Sequence, residues 1–323
     1  MSPLPIPPEL LALVPLALAS GVDLYLTLLF LGAAPALHWW DALPGALGDL
    51  NSAGVLVMVG AFYLLELLAE LVPSAALFWN ASHAIIRPVA GALLALLLLD
   101  DQPLSVVIPG TLVAAALASA AHATRTGGGV LFWLDSKRVP NRFLVALLED
   151  AAVLGTLVLL LDSPGVALAT ALAVSLASAR VVGSQVRAFA FAVELVWAKV
   201  WLTLGQPRWS DPEDFPWWVR GALKGDIMAP GGGLRGTPAG GHRLPGAPRF
   251  AVGWVVVRGD TPLFVFRRRA HVSRVDLGTL AAVGVAESAF FRRVEMGGPG
   301  SPNLYFRLDG PGRESLRAEF LVA

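Results

Sequence analysis

YLLELLAELVPSAALFWNASHAIIRP, Tyr63 to Pro88, is the stretch that decides how this chain is read. It sets Glu66 and Glu70 inside an apolar segment, then passes through Pro73-Ser74 to His83 and Arg87. Carboxylates four residues apart share one face of a helix, and Tyr63 lies on the same stripe. Ionisable groups in a membrane-length helix are costly unless they face a partner or a wet cavity. The stretch therefore predicts polar chemistry inside a bilayer.

Composition agrees. Of 323 residues, 55% are hydrophobic and 15% charged, and mean hydropathy is +0.65. That is well above an ordinary soluble domain and argues against a soluble enzyme. Lys+Arg and Asp+Glu are balanced at 24 each, so net charge gives no argument for nucleic acid. The absence of Cys excludes disulfides, thiolate metal sites and Cys nucleophiles. Many Ala, Leu, Gly and Pro beside few Lys suggest a GC-rich bacterial genome. No Lys or Arg precedes the first apolar run, so the N-terminus reads as a membrane span and not as a cleaved signal peptide.

Six apolar segments reach or approach the ~20 residues that cross a ~30 Å hydrocarbon core. They are Glu9–Ala34, Ala53–Val72, Ile85–Leu99, Leu104–Ala123, Phe143–Leu161 and Pro164–Val182. Before Arg180 the positive residues are Arg87, Arg125, Lys137, Arg138 and Arg142, all in or beside the second and fourth connections. The odd connections carry Asp41, Asp49, Asp100, Asp101 and Asp162 without Lys or Arg. The positive-inside rule then places both termini on the cytoplasmic side of an inner membrane.

Residues 1–183 thus read as a transmembrane helical domain. Residues 184–204, with Arg187, Glu194, Trp197, Lys199 and Trp201, read as an interfacial amphipathic helix, or as a continuation of the sixth span. Residues 205–248 are Pro- and Gly-rich and read as a linker with short helical turns at Trp217–Leu223. Gly231 to Gly236 match G-x-G-x-x-G without the strand and helix that would give the match meaning. From Arg249 the apolar period becomes two, which predicts a small antiparallel β domain of six or seven strands over 249–323, a barrel or a sandwich. The run LRAEFLV closes it. Arg267, Arg268, Arg269, Arg274, Arg292 and Arg293 make the domain basic, suited to anionic lipid headgroups or to a solvated face.

The polar groups within the spans are the candidate site. Asp23 sits mid-way along the first span between Ser20 and Thr27, and Glu66 and Glu70 lie in the second. His122 and Arg125 close the fourth span, while Glu149 and Asp150 lie in the fifth behind Asn141 and Arg142. With His83 and Arg87 they make a set of acids, bases and counter-charges that would be expensive facing lipid, at about 2.5–3.5 kcal/mol for each central charge. Three readings follow. One is a polar cavity that carries an ion or small solute. The second is a static salt-bridge network that specifies packing. The third, intramembrane catalysis or metal chemistry with His83 and His122, lacks any H-x-x-x-H, H-E-x-x-H or D-x-x-D spacing. No cofactor or metal is expected.

Internal echoes suggest a three-plus-three inverted repeat. Ser20–Asp23–Thr27 recurs as Ser119–His122–Thr126, and Leu64-Leu65-Glu66 as Leu147-Leu148-Glu149. Ala17-Leu18-Ala19-Ser20 recurs as Ala116 to Ser119, but Leu176 to Ala179 matches as well where no repeat requires it.

LASGVDLYLT (Leu18–Thr27), E-x-x-x-E-x-V-P (Glu66–Pro73), H-x-x-x-R-P-x-x-G (His83–Gly91) and HATR (His122–Arg125) together resemble a bacterial membrane family, domain of unknown function 4126. Asn141 and Glu149-Asp150 extend the resemblance, which covers about residues 10–182. In that family's pattern Asp is usual where this chain has Glu70, and Asn where it has Asp23. The resemblance implies a multi-pass membrane protein and no particular activity. The preferred expectation is a transporter- or channel-like module, not an enzyme. The alternative is a membrane scaffold or sensor whose β domain binds lipid or a protein partner.

Overall fold

The first apolar segment is cut in two at Asp23. Helix α1 (Pro8–Val22) ends there and α2 (Leu24–Ala33) begins, with Asp23 itself extended at φ −140° and ψ 103°. The Asp23 carboxylate accepts the Leu26 N–H at 2.9 Å, and a side-chain acceptor at this position starts a new helix. The computed structural model describes residues 7–39, 45–135, 142–202, 208–227, 233–259, 261–268, 271–298 and 300–321. Its chain falls into two units, one of residues 1–129 and 135–183, the other of 130–134 and 184–323.

After α1 and α2 come α3 (Ala53–Leu71), α4 (Pro73–Leu98), α5 (Leu104–Asp135), α6 (Arg142–Asp162) and α7 (Pro164–Trp201), all of the first unit except residues 130–134 of α5 and 184–201 of α7, which belong to the second. Five of these, α3 to α7, are long and apolar enough to cross a membrane. With 15 and 10 residues, α1 and α2 span about 22 and 15 Å, so neither crosses alone.

Some placements differ from the sequence expectation. The third segment starts at Pro73, twelve residues before Ile85, because Pro73 opens a helix instead of forming a turn. A single extended residue, Val72, separates it from α3. For residues 184–201 the structure agrees with the second of the two readings, continuation of the last span: with no Pro or turn between Val182 and Trp201, α7 runs on without interruption. Arg87 and Arg125, read as lying beside connections, are within α4 and α5, and both guanidiniums are buried. The orientation argument therefore rests on Lys137, Arg138 and Arg142.

The unit is turned inside out relative to a soluble bundle. Leu64, Leu65, Leu68, Ile85, Leu93 and Leu148 are exposed, while Asp23, Glu66, His83, Arg87, His122 and Asp150 are buried. An apolar outer surface of this extent suits lipid and not water. Small residues let the helices approach closely. A Cβ on Gly21 of α1 would lie 2.4 Å from the Ala118 carbonyl of α5, and one on Gly91 of α4 would lie 2.7 Å from Ala118 Cβ.

The second unit is built on one antiparallel sheet of seven strands in the order β4-β3-β2-β1-β7-β6-β5. The strands are β1 (Leu234–His242), β2 (Phe250–Arg258), β3 (Thr261–Arg268), β4 (His271–Asp276), β5 (Ala282–Glu287), β6 (Phe291–Met296) and β7 (Asn303–Arg307). The expected antiparallel sheet is present, but its central strand, β1, lies in the stretch read as linker. Gly236 therefore sits in a strand and opens no phosphate-binding turn.

Alternation puts Val255, Val257, Phe264 and Phe266 on one face, beneath Leu316 and Phe320 of α10 (Arg313–Phe320). The closing run is thus a helix, because Leu316 and Phe320 are four apart and both buried. The other face carries Phe250 and Tyr305 against Phe191 and Leu195 of α7. Further along that face, Val256 and Val265 pack against Phe215 and against Val219 of α8 (Trp217–Ala222). A short helix α9 (Lys224–Ile227) follows α8.

Candidate functional site

The break at Asp23 leaves the last carbonyls of α1 without helical partners, and Arg87 supplies them. Its Nη1 donates to Gly21 O at 2.6 Å and also to Val22 O, while its Nη2 donates to Glu66 Oε1 at 2.5 Å. Orphan carbonyls at a buried helix end require such donors. Arg87 can reach them because Gly21, Gly91 and Ala118 hold α1, α4 and α5 almost backbone to backbone.

Glu66 passes the network to α5. Its Oε1 also accepts Arg125 Nη1 at 3.1 Å. Arg125 then donates from Nη2 to Glu70 at 2.5 Å and from Nε to Glu149 at 2.6 Å. The three carboxylates come from α3 and α6, so one guanidinium ties three helices together. The i, i+4 spacing of Glu66 and Glu70 makes this geometry available, since both project from one face of α3. Glu66 Oε2 is buried without a hydrogen-bond partner.

The remaining candidates form satellites. Tyr63 donates to Asp150 Oδ2 at 2.7 Å. Tyr25 O–H and His83 Nε2 are 2.8 Å apart, and His83 Nδ1 lies 2.7 Å from Trp79 O. A neutral ring protonated on Nδ1 satisfies both, with Tyr25 donating. His122 Nε2 lies 2.9 Å from Asn80 O, and Thr126 donates to Asn80 Oδ1 at 3.2 Å. The Thr27 hydroxyl donates to Asp23 O at 2.6 Å.

Of the ten residues proposed from sequence, Glu66, Glu70, Arg87, Arg125 and Glu149 meet directly. Asp23 joins through the carbonyl of its neighbour Val22. His83, His122 and Asp150 belong to the satellites, and Asn141 lies outside the described residues, as does the side chain of Arg142. Tyr25, Trp79 and Asn80 were missed. Tyr25 stands within LASGVDLYLT two residues after Asp23, so its position beside the break was the available signal. Among the described residues, no group of three or more His, Cys, Asp or Glu is placed to hold a metal ion.

What the arrangement can do follows from its charge. Five carboxylates, Asp23, Glu66, Glu70, Glu149 and Asp150, stand with two guanidiniums, Arg87 and Arg125, among the described side chains. In apolar surroundings such an excess of acid favours protons or cations as counter-charges.

No curated protein and no solved structure matches the chain. A family does. The family described as Domain of unknown function (DUF4126) matches residues 10–184, which contain the broken helix and every ion pair of the buried network, and the chain belongs to that family.

Proposed function

We propose that the helical unit carries a proton or small cation across the membrane through the acid-rich network at the α1–α2 break. The observation that supports this is the imbalance of five carboxylates to two guanidiniums beside a discontinuous helix. Broken helices and midplane polar sites are how many secondary transporters expose backbone and side-chain ligands to an ion. In this reading α1 and α2 together make a sixth crossing. Glu66 and Glu149, which echo each other in the sequence, both pair with Arg125. Both termini are read as cytoplasmic in an inner membrane, and a reporter fused after Ala323 that is active only on the opposite side would overturn that orientation.

The test is flux in proteoliposomes carrying an internal pH or cation dye. Wild-type protein should conduct, and Glu66→Gln should abolish conduction while eluting as a folded species. Undiminished flux in folded Glu66→Gln sinks the proposal. The second reading, a non-transporting scaffold or sensor, is favoured by the way Glu66, Glu70 and Glu149 are all tied off on one arginine. It predicts no flux of protons, sodium or potassium through well-folded wild-type protein.

A further inference from the structure

The face of the sheet covered by α8 and α9 carries more cations than its own acids use. Period two along β2, β3 and β4 places Arg258, Arg267 and Arg274 on the same side as Val256 and Val265, the side that packs on α8. Asp226 of α9 binds Arg258 at 2.9 Å and Arg274 at 3.1 Å, and the Arg267 guanidinium stacks 5.6 Å from the Trp217 ring. Arg220 and Lys224 add two further exposed cations, so five positive groups stand with Asp226 and Asp276. Asp276 is engaged in its own turn, accepting the Gly278 N–H at 2.8 Å.

Apolar groups are exposed among these cations. Trp217 is 72% exposed, and Ile227 and Val272 are each 37% exposed. Between Trp217 and Ile227 runs an open groove of about 400 Å³, lined also by Arg220, Gly221 and Lys224. A fully solvated basic face would have no reason to present an indole at its rim. Indole rings and basic side chains together are the composition of a surface that sits in a headgroup layer.

We infer that this α8–α9 face docks on anionic lipid headgroups of a bilayer, with Arg220, Lys224 and Arg267 holding phosphates and Trp217 entering the interface. Five helices among the described residues are long and apolar enough to cross a membrane, and a chain so held at a bilayer meets lipid phosphate as the anion at highest local concentration. Each basic residue near an anionic surface contributes about a five-fold gain in occupancy, and salt screens it. The inference is independent of transport, because none of its residues belongs to the Glu66 network.

The test uses the full chain, which contains no Cys and therefore accepts a single labelled one. Gly221→Cys suits the label, since a Cβ there meets nothing within 4 Å. A fluorophore at that site is read in nanodiscs doped with a headgroup-level quencher, with phosphatidylglycerol or with phosphatidylcholine alone. Quenching at least about two-fold stronger in the anionic discs is expected, reversed by high salt and by Arg220→Gln with Lys224→Gln. A label at Glu314→Cys, on the α10 side of the sheet, should remain unquenched in both. Equal quenching at the two sites, or none at residue 221 in anionic discs, overturns the inference. If instead polyglutamate perturbs the 221 label while lipid does not, the face takes an acidic protein, and the lipid assignment fails.

Discussion

Arginine–carboxylate pairs occur in both units, and their surroundings make them different interactions. In the helical unit the Arg87 side chain is 0% exposed and that of Arg125 7%, against 3% for Glu66. In the β unit Arg293 pairs with Glu295 at 36% and 45% exposure, and Arg317 with Glu314 at 44% and 82%. Exposed pairs gain little because water and salt screen both charges. Buried pairs gain little over an apolar substitute, yet losing one partner strands the other charge in a medium that cannot solvate it. The contrast concerns burial and not which unit holds the pair. Arg292 of β6 is buried and donates to Leu308 O at 3.0 Å, Pro311 O at 3.1 Å and Gly310 O at 3.4 Å. It does for the turn before α10 what Arg87 does for the end of α1. In both places a guanidinium reaches buried carbonyls that no helix or strand satisfies.

The sharpest way to break the comparison is to remove the centre of the buried network. Arg125→Leu strands Glu70 and Glu149, leaves Glu66 with Arg87 alone, and should destabilise the helical unit by about 3–5 kcal/mol. Thermal unfolding in detergent would show a large fall in midpoint or loss of a folded species. Arg292→Leu should follow at about 2–3 kcal/mol, because three buried carbonyls lose their donor, whereas its ion-pair partner Glu287 is 41% exposed and falls back on water. An Arg125→Leu protein that melts like wild type would mean the three carboxylates do not depend on that guanidinium.

A smaller effect is set by His242 in β1. Its imidazole is 1% exposed, and burial, with the charge of Arg243 adding to it, pushes its pKa down to about 4. The unfolded side chain titrates near 6.5, so between these values the unfolded state binds more protons than the folded one. Stability from this group is therefore complete above about pH 6.5 and is lost as pH falls toward 4, at up to about 1.4 kcal/mol per pH unit. NMR titration of the His242 ring in the full chain tests the folded value. A ring that titrates near 6.5 would place it with the solvated groups and remove it from the contrast.

How much of this was legible beforehand depends on what each residue announces. Carboxylates in an apolar run announce their cost, so Glu66, Glu70 and Glu149 were readable as inward-facing. Asp23 announced the same cost, but an acid that pairs and an acid that caps a new helix look alike in a string of letters. The break, and hence the job of Arg87, was not readable. Arg87 and Arg125 are legible as counter-charges to the intramembrane carboxylates, but which acid each one meets is not, because the partners lie 21 residues away for Arg87 and 24 to 59 residues away for Arg125. β1 was missed for a related reason: LRGTPAGGH reads as breaker residues. In the sheet those glycines are spaces for neighbours, since a Cβ on Gly240 would lie 2.8 Å from the Phe250 ring and one on Gly241 2.4 Å from Leu244. Local propensity marks Gly and Pro as turns, and only tertiary packing reveals a central strand made of them.

The smallest effect belongs to the exposed pair Arg317–Glu314 on α10. Its nitrogen and oxygen are 3.3 Å apart at i, i+3 spacing, a geometry as favourable on paper as the 3.1 Å contact of Arg125 with Glu66. Yet both side chains reach water, so Glu314→Ala should change stability by less than about 0.5 kcal/mol, and added salt should erase what difference exists. Leu316→Ala on the same helix should cost about 2–5 kcal/mol, because it empties a fully buried position beneath the sheet. Measuring the two variants side by side by chemical unfolding separates distance from burial within eight residues. A Glu314→Ala loss comparable to that of Leu316→Ala would show that proximity of charges, and not their removal from water, governs the pairs in both units.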